Sequence, residues 1–525
     1  MKRFLLSSIF LGASLLITSC SDFLDTLPDN RTEIDTESKV TNLLVSAYPQ
    51  VFPMMMWEMS SDNVMDNGSL YDIETQAIED AYLWEDIKTD TDTDAPQGVW
   101  ANLYMAIASA NNALKAIEEM GNPASLNPQK GEALLCRAYS HFILANTFCM
   151  AYNPNTAANE LGIPYATEPE TTVSPVYERG SLEDTYKNIE KDILEGLPLI
   201  DDNIYTVPKY HFNKKAAYAF AARFYLFYIK EDKSNYEKVI EYADKVLGTD
   251  PTKVLRDYAS EMGIFNDPEN MANAYIDAKS AANLMISVVY SSWPYIYGPY
   301  NMSKRYGLSR FISENELLQA SGPWGAGNNL FFGSKLYGFD QKISFFKYNM
   351  YFEYTDKVNG IGYRHAVIVP FSTNETLLCR AEAYVMKSQP DYASATNDIN
   401  SWIHAAENNK LEDISETDIN LWYNFTPYTP VELTNDDDRT VKKRLNPVFD
   451  FVSTKQENFI HCILQARRLE QVHDGNRWLD IKRWGIEFSH NREDKTPIIL
   501  TKEDPRRAIQ LPQDVINAGL EANPR

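Results

Sequence analysis

Cysteine is scarce in this 525-residue chain: there are five, too few for a disulfide-held scaffold, and none stands in a Cys-x-x-Cys pair. A thiolate metal site or a redox dithiol therefore has no support. Basic charge is short as well, with 49 Lys and Arg against 73 Asp and Glu for a net charge of −24. Such a surface repels phosphate backbones and anionic lipid, which argues against a nucleic-acid partner. No Gly-x-Ser-x-Gly, His-Glu-x-x-His or Gly-x-x-x-x-Gly-Lys occurs, and the seven His are scattered. Nucleophile-elbow, zinc-peptidase and P-loop chemistry thus lack their defining residues. The one long small-and-apolar run, Phe4 to Ile17, is shorter than the roughly 20 residues a spanning helix needs.

That run is informative in another way. Lys2 and Arg3 precede it and Ile17-Thr18-Ser19-Cys20 follows, the order of a secretory signal. A Cys directly after two small residues resembles a bacterial lipobox, in which the thiol is acylated and becomes the mature N-terminus. The plainer reading is an ordinary signal with an incidental Cys20. We expect residues 1–19 to be a lipoprotein signal peptide and 20–39 a lipidated tether. Acyl chains, at about 0.8 kcal/mol per buried CH₂, would hold the protein on a membrane facing away from the cytoplasm. The other cysteines, Cys136, Cys149, Cys379 and Cys462, sit among Leu, Ala, Phe and Ile and read as small buried hydrophobes.

A hydrophobic content of 44% supports a real core, and helical periodicity shows how it is built. Val99, Leu103, Ala106, Ala110, Ala113 and Ile117 recur at three- and four-residue steps, and Gly121-Asn122-Pro123 stops the stripe. Asn127-Pro128 opens a second helix, Ser181 a third, Asn213 a fourth and Ser234 a fifth. The last two form a helix-turn-helix unit of about 38 residues that resembles a tetratricopeptide repeat. Glu375 to Ala381 echoes Glu132 to Ala138, so a further pair is expected after residue 371. The predicted fold is mainly α, with tetratricopeptide-like helical pairs forming a scaffold over 40–251 and 371–525.

Between 252 and 370 Gly, Pro, Ser and aromatics dominate, with short strand-like runs at Met285–Tyr290 and Ile343–Tyr348. This predicts a large loop-rich insertion, and binding usually resides on loops carried by a rigid scaffold. Aromatics make up 12% of the chain and can serve as stacking platforms for sugar rings. Trp84, Trp293, Tyr295, Tyr297 and Trp324 are the candidate stacking residues, with Asp62 and Asn63 as polar partners. Each of these rings is as readily a packing residue, since Trp is highly buried on average. Asp90-x-Asp92-x-Asp94 resembles the start of a calcium loop, but Ala95 and Ala101 occupy the glycine and glutamate positions. No cofactor is expected, and calcium only incidentally.

The C-terminal run Arg467-Arg468-x-Glu470 to Gly475-x-Arg477-Trp478-x-Asp480 reads as an ion-pair and Trp staple. Taken with Cys20-x-x-Phe23-Leu24-Asp25, Trp100-x-x-x-Tyr104-x-x-Ile107-x-x-x-Asn111, Arg137-Ala138-Tyr139, Gly162-Ile163-Pro164, Lys214-x-Ala216-Ala217, Arg380-Ala381-Glu382-Ala383 and Gln510-Leu511-Pro512, it resembles the SusD/RagB-like nutrient-binding lipoproteins of Bacteroidota. Gln465-Ala466 and His473-Asp474 depart from the family pattern locally. The resemblance implies an outer-membrane, lipid-anchored, non-catalytic protein facing the cell exterior. It also implies capture of oligosaccharides and their delivery to a SusC-like TonB-dependent transporter. It transfers no ligand residue by position. An oligopeptide-binding member is the runner-up. A helical surface glycoside hydrolase with two carboxylates about 5–10 Å apart, or a tetratricopeptide adaptor, are the readings from other classes.

Overall fold

The computed structural model describes residues 34–73, 75–88, 92–170, 177–291, 293, 304–339 and 342–525. Cys20, Asp90, Tyr295 and Tyr297 lie outside these residues.

The apolar stripe from Val99 to Ile117 forms the buried face of the Pro96–Glu119 helix, which begins with its proline in the first turn. That helix packs on Asn127–Phe148, which in turn packs on Leu182–Gly196. Asn127–Phe148 is buried almost all round, as befits a central helix. Ser181 and Asn213 cap their helices, their side chains accepting from the backbone N–H of Asp184 and Ala216. Such caps contribute about 1 kcal/mol each. Ser234 differs from expectation: its backbone is already helical and its side chain makes no cap bond to Asn235–Leu247.

The echo between Glu132–Ala138 and Glu375–Ala381 has a physical meaning. Arg137 donates to both oxygens of Asp192 at 2.7 Å, binding the Asn127–Phe148 helix to Leu182–Gly196. Arg380 repeats this with Asp398, at 2.9 and 2.7 Å, binding Thr373–Met386 to Tyr392–Ala406. Each pair of helices is thus closed by one two-pronged, buried guanidinium–carboxylate contact. Arg223, on Lys214–Phe227, reaches across to Glu375 instead and joins the two repeats. The Thr373–Met386 helix packs against Asn235–Leu247 and Thr454–Glu470, so the two scaffold regions form one helical body.

Strands are few. Asn283–Val289, Ile361–Ser372 and Tyr351–Asp356 form a three-stranded antiparallel sheet with Ile361–Ser372 central. The first matches the expected run at Met285–Tyr290. Of the run at Ile343–Tyr348 only Lys342–Ser344 is strand, paired with Tyr337–Phe339. The 12-residue central strand was not expected, and it passes through residue 370, where the insertion was expected to end. Its polar outer half, Tyr363-Arg364-His365, hides the alternation that its buried inner half, Ala366, Ile368 and Pro370, displays. The strand feeds straight into Thr373–Met386, capped by Ser372, so the sheet is rooted in the scaffold. Among the described residues no helix is long and apolar enough to cross a membrane.

Candidate functional site

The short helix Met54–Ser60 is buried along its whole length, and the turn after it carries Asp62 and Asn63. Both expected ligand contacts are interior groups. The Asp62 carboxylate accepts from Arg477 Nε and Nη2 at 2.7 and 2.8 Å, and its backbone carbonyl accepts from Arg468 at 2.7 Å. Asn63 accepts from Arg468 Nε at 2.8 Å and donates to Glu58. Glu316 completes the cluster, meeting Arg468 and Lys443 at 2.9 Å and Arg439 at 3.0 Å. Burial alone would raise the pKa of Asp62, but Arg468 and Arg477 outweigh it and hold the carboxyl well below the usual range. Asp62 and Asn63 are therefore a staple between the N- and C-terminal parts. Their arginines lie 405 and 415 residues away, beyond the reach of local pattern.

The indoles are corrected in the same direction. Trp84 donates to the Ser60 carbonyl at 2.9 Å and stacks on His490 at 4.4 Å between ring centres. Trp293 is 1% exposed and donates to the His473 carbonyl at 2.9 Å. Trp324 packs at 5.6 Å on Trp402. The Ser321-Gly322-Pro323-Trp324-Gly325 turn folds its indole back over Gly322, where a Cβ would come within 2.4 Å of the ring. All three are core side chains, because a Trp among apolar neighbours gains more from burial than from remaining in water.

One group of exposed rings lies together on the sheet, whereas Tyr177, Tyr210, Phe425 and Tyr428 are exposed elsewhere. Phe352, Tyr354 and Tyr363 are 42%, 52% and 47% exposed, on a hairpin that turns through Lys357–Gly360. Register sets their grouping: Phe352 faces Arg364 and Tyr354 faces Gly362, while Glu353 faces Tyr363 and Tyr351 faces His365. Phe352 and Tyr354 therefore share one face with Arg364, their rings edge to face at 4.8 Å. Gly362 leaves room for the Phe352 ring, which a Cβ would meet at 2.8 Å. Tyr351, Glu353, Tyr363 and His365 share the other face, where Tyr290 meets Tyr363 edge-on at 5.5 Å. Each face sets open aromatic surface beside groups that donate or accept hydrogen bonds. Tyr290 is followed closely by the buried Trp293, at the start of the segment that carries Tyr295 and Tyr297. The signal that could have found the hairpin is Asn359-Gly360 between two aromatic runs.

The architecture defines a class: a helical-repeat scaffold that carries a strand-and-loop region bearing exposed aromatics. Two family models match the chain. One, described as starch-binding and associating with the outer membrane, covers residues 22–226; the other, the SusD family, covers 326–511. The chain belongs to the SusD/RagB family. Solved structures share its fold. A SusD superfamily protein from Bacteroides thetaiotaomicron aligns at 18% identity and a TM-score of 0.59, over 93% of this chain and 98% of the other. One from Bacteroides fragilis aligns at 17% identity and a TM-score of 0.61, over 92% and 96%. A SusD-like carbohydrate binding protein from Bacteroides vulgatus aligns at 15% identity and a TM-score of 0.61, over 92% and 96%. No curated protein sequence matches the chain.

Proposed function

We propose that this protein is a non-catalytic glycan-capturing lipoprotein of the outer cell surface. It is anchored through Cys20 and hands its ligand to a SusC-like TonB-dependent transporter. The observation that carries the reading is the open aromatic hairpin, Phe352, Tyr354 and Tyr363, with Arg364, Glu353 and His365 beside the rings. Pyranose rings present apolar C–H faces to such surfaces and their hydroxyls to flanking charged groups. Family membership supports it, as does a structural relative described as a carbohydrate binding protein. Of the interior carboxylates, Asp62, Glu316, Glu375, Glu382 and Asp480 are committed to guanidinium groups, while Glu58, Glu132 and Glu470 are held by Asn63, by Tyr48 and His211, and by Tyr258 and Trp402.

Affinity electrophoresis against a panel of plant and host glycans tests capture. Retardation by at least one glycan is expected, without new reducing ends after long incubation. Binding to peptides but to no glycan would shift the assignment to an oligopeptide-capturing member, and release of reducing ends would replace it with a hydrolase. Cys20→Ala should move the protein from the membrane fraction to the soluble one, and co-purification of a large β-barrel with the unaltered chain tests the transporter partner.

A further inference from the structure

A roomy concavity lies away from the hairpin, none of whose residues lines it. It encloses about 440 Å³ between the 150–160 loop, the 446–448 segment, the end of the Arg477–Arg483 helix and the 502–507 turn. Lys482 and Arg507 line it, and both are buried, 6% and 2% exposed. Lys482 Nζ donates to the carbonyls of Asn146 and Cys149 at 2.7 and 2.6 Å. Arg507 donates to the carbonyls of Thr501, Ile481 and Ile486. These bonds cap two helix ends, but every acceptor is neutral.

What points to a ligand is the pairing of such cations with an open cavity: Arg179 and Lys442 are also buried on neutral acceptors, but neither lines this concavity. Arg137, Arg223, Arg380, Arg467, Arg468 and Arg477 all meet carboxylates. Among the described residues neither Lys482 nor Arg507 has a carboxylate within 4 Å, in a chain with carboxylates in excess. A buried cation lacking a counter-charge costs several kcal/mol, and two in one wall also repel each other. The guanidinium of Arg483, also on the wall, has a buried Nε with no acceptor. The carboxylates at the pocket, Glu160 and Glu503, form no ion pair with Lys482 or Arg507, and Glu503 lies on the exposed rim beside Lys502 at 3.8 Å.

We infer that this pocket binds a small oxyanion group, a carboxylate or sulfate carried by a polar ligand, with Lys482 and Arg507 supplying the charge. The volume is in the range of small-ligand sites. Tyr152, Asn153 and Thr156 on the loop wall offer hydroxyl and amide groups to the remainder of such a ligand. Burial lowers Lys482 to about 7, with Arg507 acting in the same direction and Cys149 opposing. Burial likewise lowers Arg507 to about 10, opposed by Asp504 and Glu487. Binding of an anion should therefore take up a proton at Lys482 above neutrality.

Calorimetry of the unaltered protein at fixed ionic strength tests this, with sodium sulfate and sodium glucuronate as probes and glucose as the neutral control. Expected is binding of one equivalent at pH 6.0 that weakens about tenfold by pH 8.5, as Lys482 loses its proton. Binding of both probes identifies a general oxyanion site, and binding of glucuronate alone a site for an acidic sugar. No binding of either at pH 6.0, equal binding of glucose, or an affinity unchanged with pH overturns the inference. Lys482→Gln should abolish both the binding and its pH dependence. Should that buried substitution prevent folding, Lys502→Ala on the exposed rim should fold normally and weaken binding about threefold.

Discussion

The insertion between 252 and 370 uses aromatic side chains in two opposite ways. At its inner end Trp293 and Trp324 are buried and anchor loops to the scaffold. On its outer hairpin Phe352, Tyr354 and Tyr363 remain open. Composition is the same at both ends; context differs. Trp293 and Trp324 fall in irregular turns, where a large ring seals the gap between loop and helix. The hairpin rings alternate on a strand whose outer half extends past the core, so one face or the other must meet solvent. Aromatic density alone therefore does not tell which rings meet solvent, whereas aromatic alternation around a turn does.

If the buried set is structural, its removal should unfold rather than unbind. Asp62→Ala strands Arg477 and part of Arg468 without a counter-charge and is expected to cost about 3–5 kcal/mol. Urea denaturation followed by tryptophan fluorescence checks this, and an unchanged midpoint would remove Asp62 from the staple. Trp293→Ala leaves a cavity and removes the indole's bond to the His473 carbonyl, at about 3–5 kcal/mol. A variant of full stability that had lost ligand affinity would instead make Trp293 part of the binding surface, and the contrast between the two ends would collapse.

Much of the scaffold was legible because helical periodicity and capping are local. The stripe from Val99 to Ile117 and the caps at Ser181 and Asn213 all follow from short windows of sequence. The repeated Arg-Ala step also held a readable clue, since Arg137 and Arg380 perform the same task in two helix pairs. What escaped was non-local or masked by polarity. Asp62 finds Arg477 across nearly the whole chain, and a short acidic-amide pair beside aromatics gives no sign of it. The Ile361–Ser372 strand changes from exposed to buried along its length, so its outer half resembles a loop. Nothing in the local sequence around Lys482 and Arg507 marks them as enclosed by the fold.

Glu58 separates the interior from the surface through pH. It is fully buried beside Asn63, with His473 Nδ1 at 3.6 Å and Arg468 and Lys347 nearby. Burial raises its pKa from 4.5 to about 7, the Asn63 amide and the two cations opposing. Burial also keeps His473 neutral, its pKa lying well below 6.5. A carboxyl raised on folding adds stability that is complete below pH 4.5 and is lost as pH climbs to about 7. The span corresponds to about 3 kcal/mol for this one group. Stability of the native chain minus that of Glu58→Gln, measured by urea denaturation from pH 4 to 8, should fall across that window. A difference flat with pH would show that Glu58 is already ionised in the folded protein.

The exposed hairpin gives the gentlest perturbation and the most direct reading of function. Tyr354→Ala and Tyr363→Ala remove rings from opposite faces of the same two strands. Each loses a ring contact, Tyr354 with Phe352 on its own strand and Tyr363 with Tyr290 across the sheet, so stability should fall by about 1 kcal/mol or less. If a glycan stacks on one face, affinity should drop by about 1–3 kcal/mol for that variant alone, with the other near unchanged. Equal losses would mean that the ligand wraps the strand edge, and no loss in either would place the stacking surface off this sheet. Because both substitutions spare the buried end, a change in affinity without a change in melting temperature belongs to the surface itself.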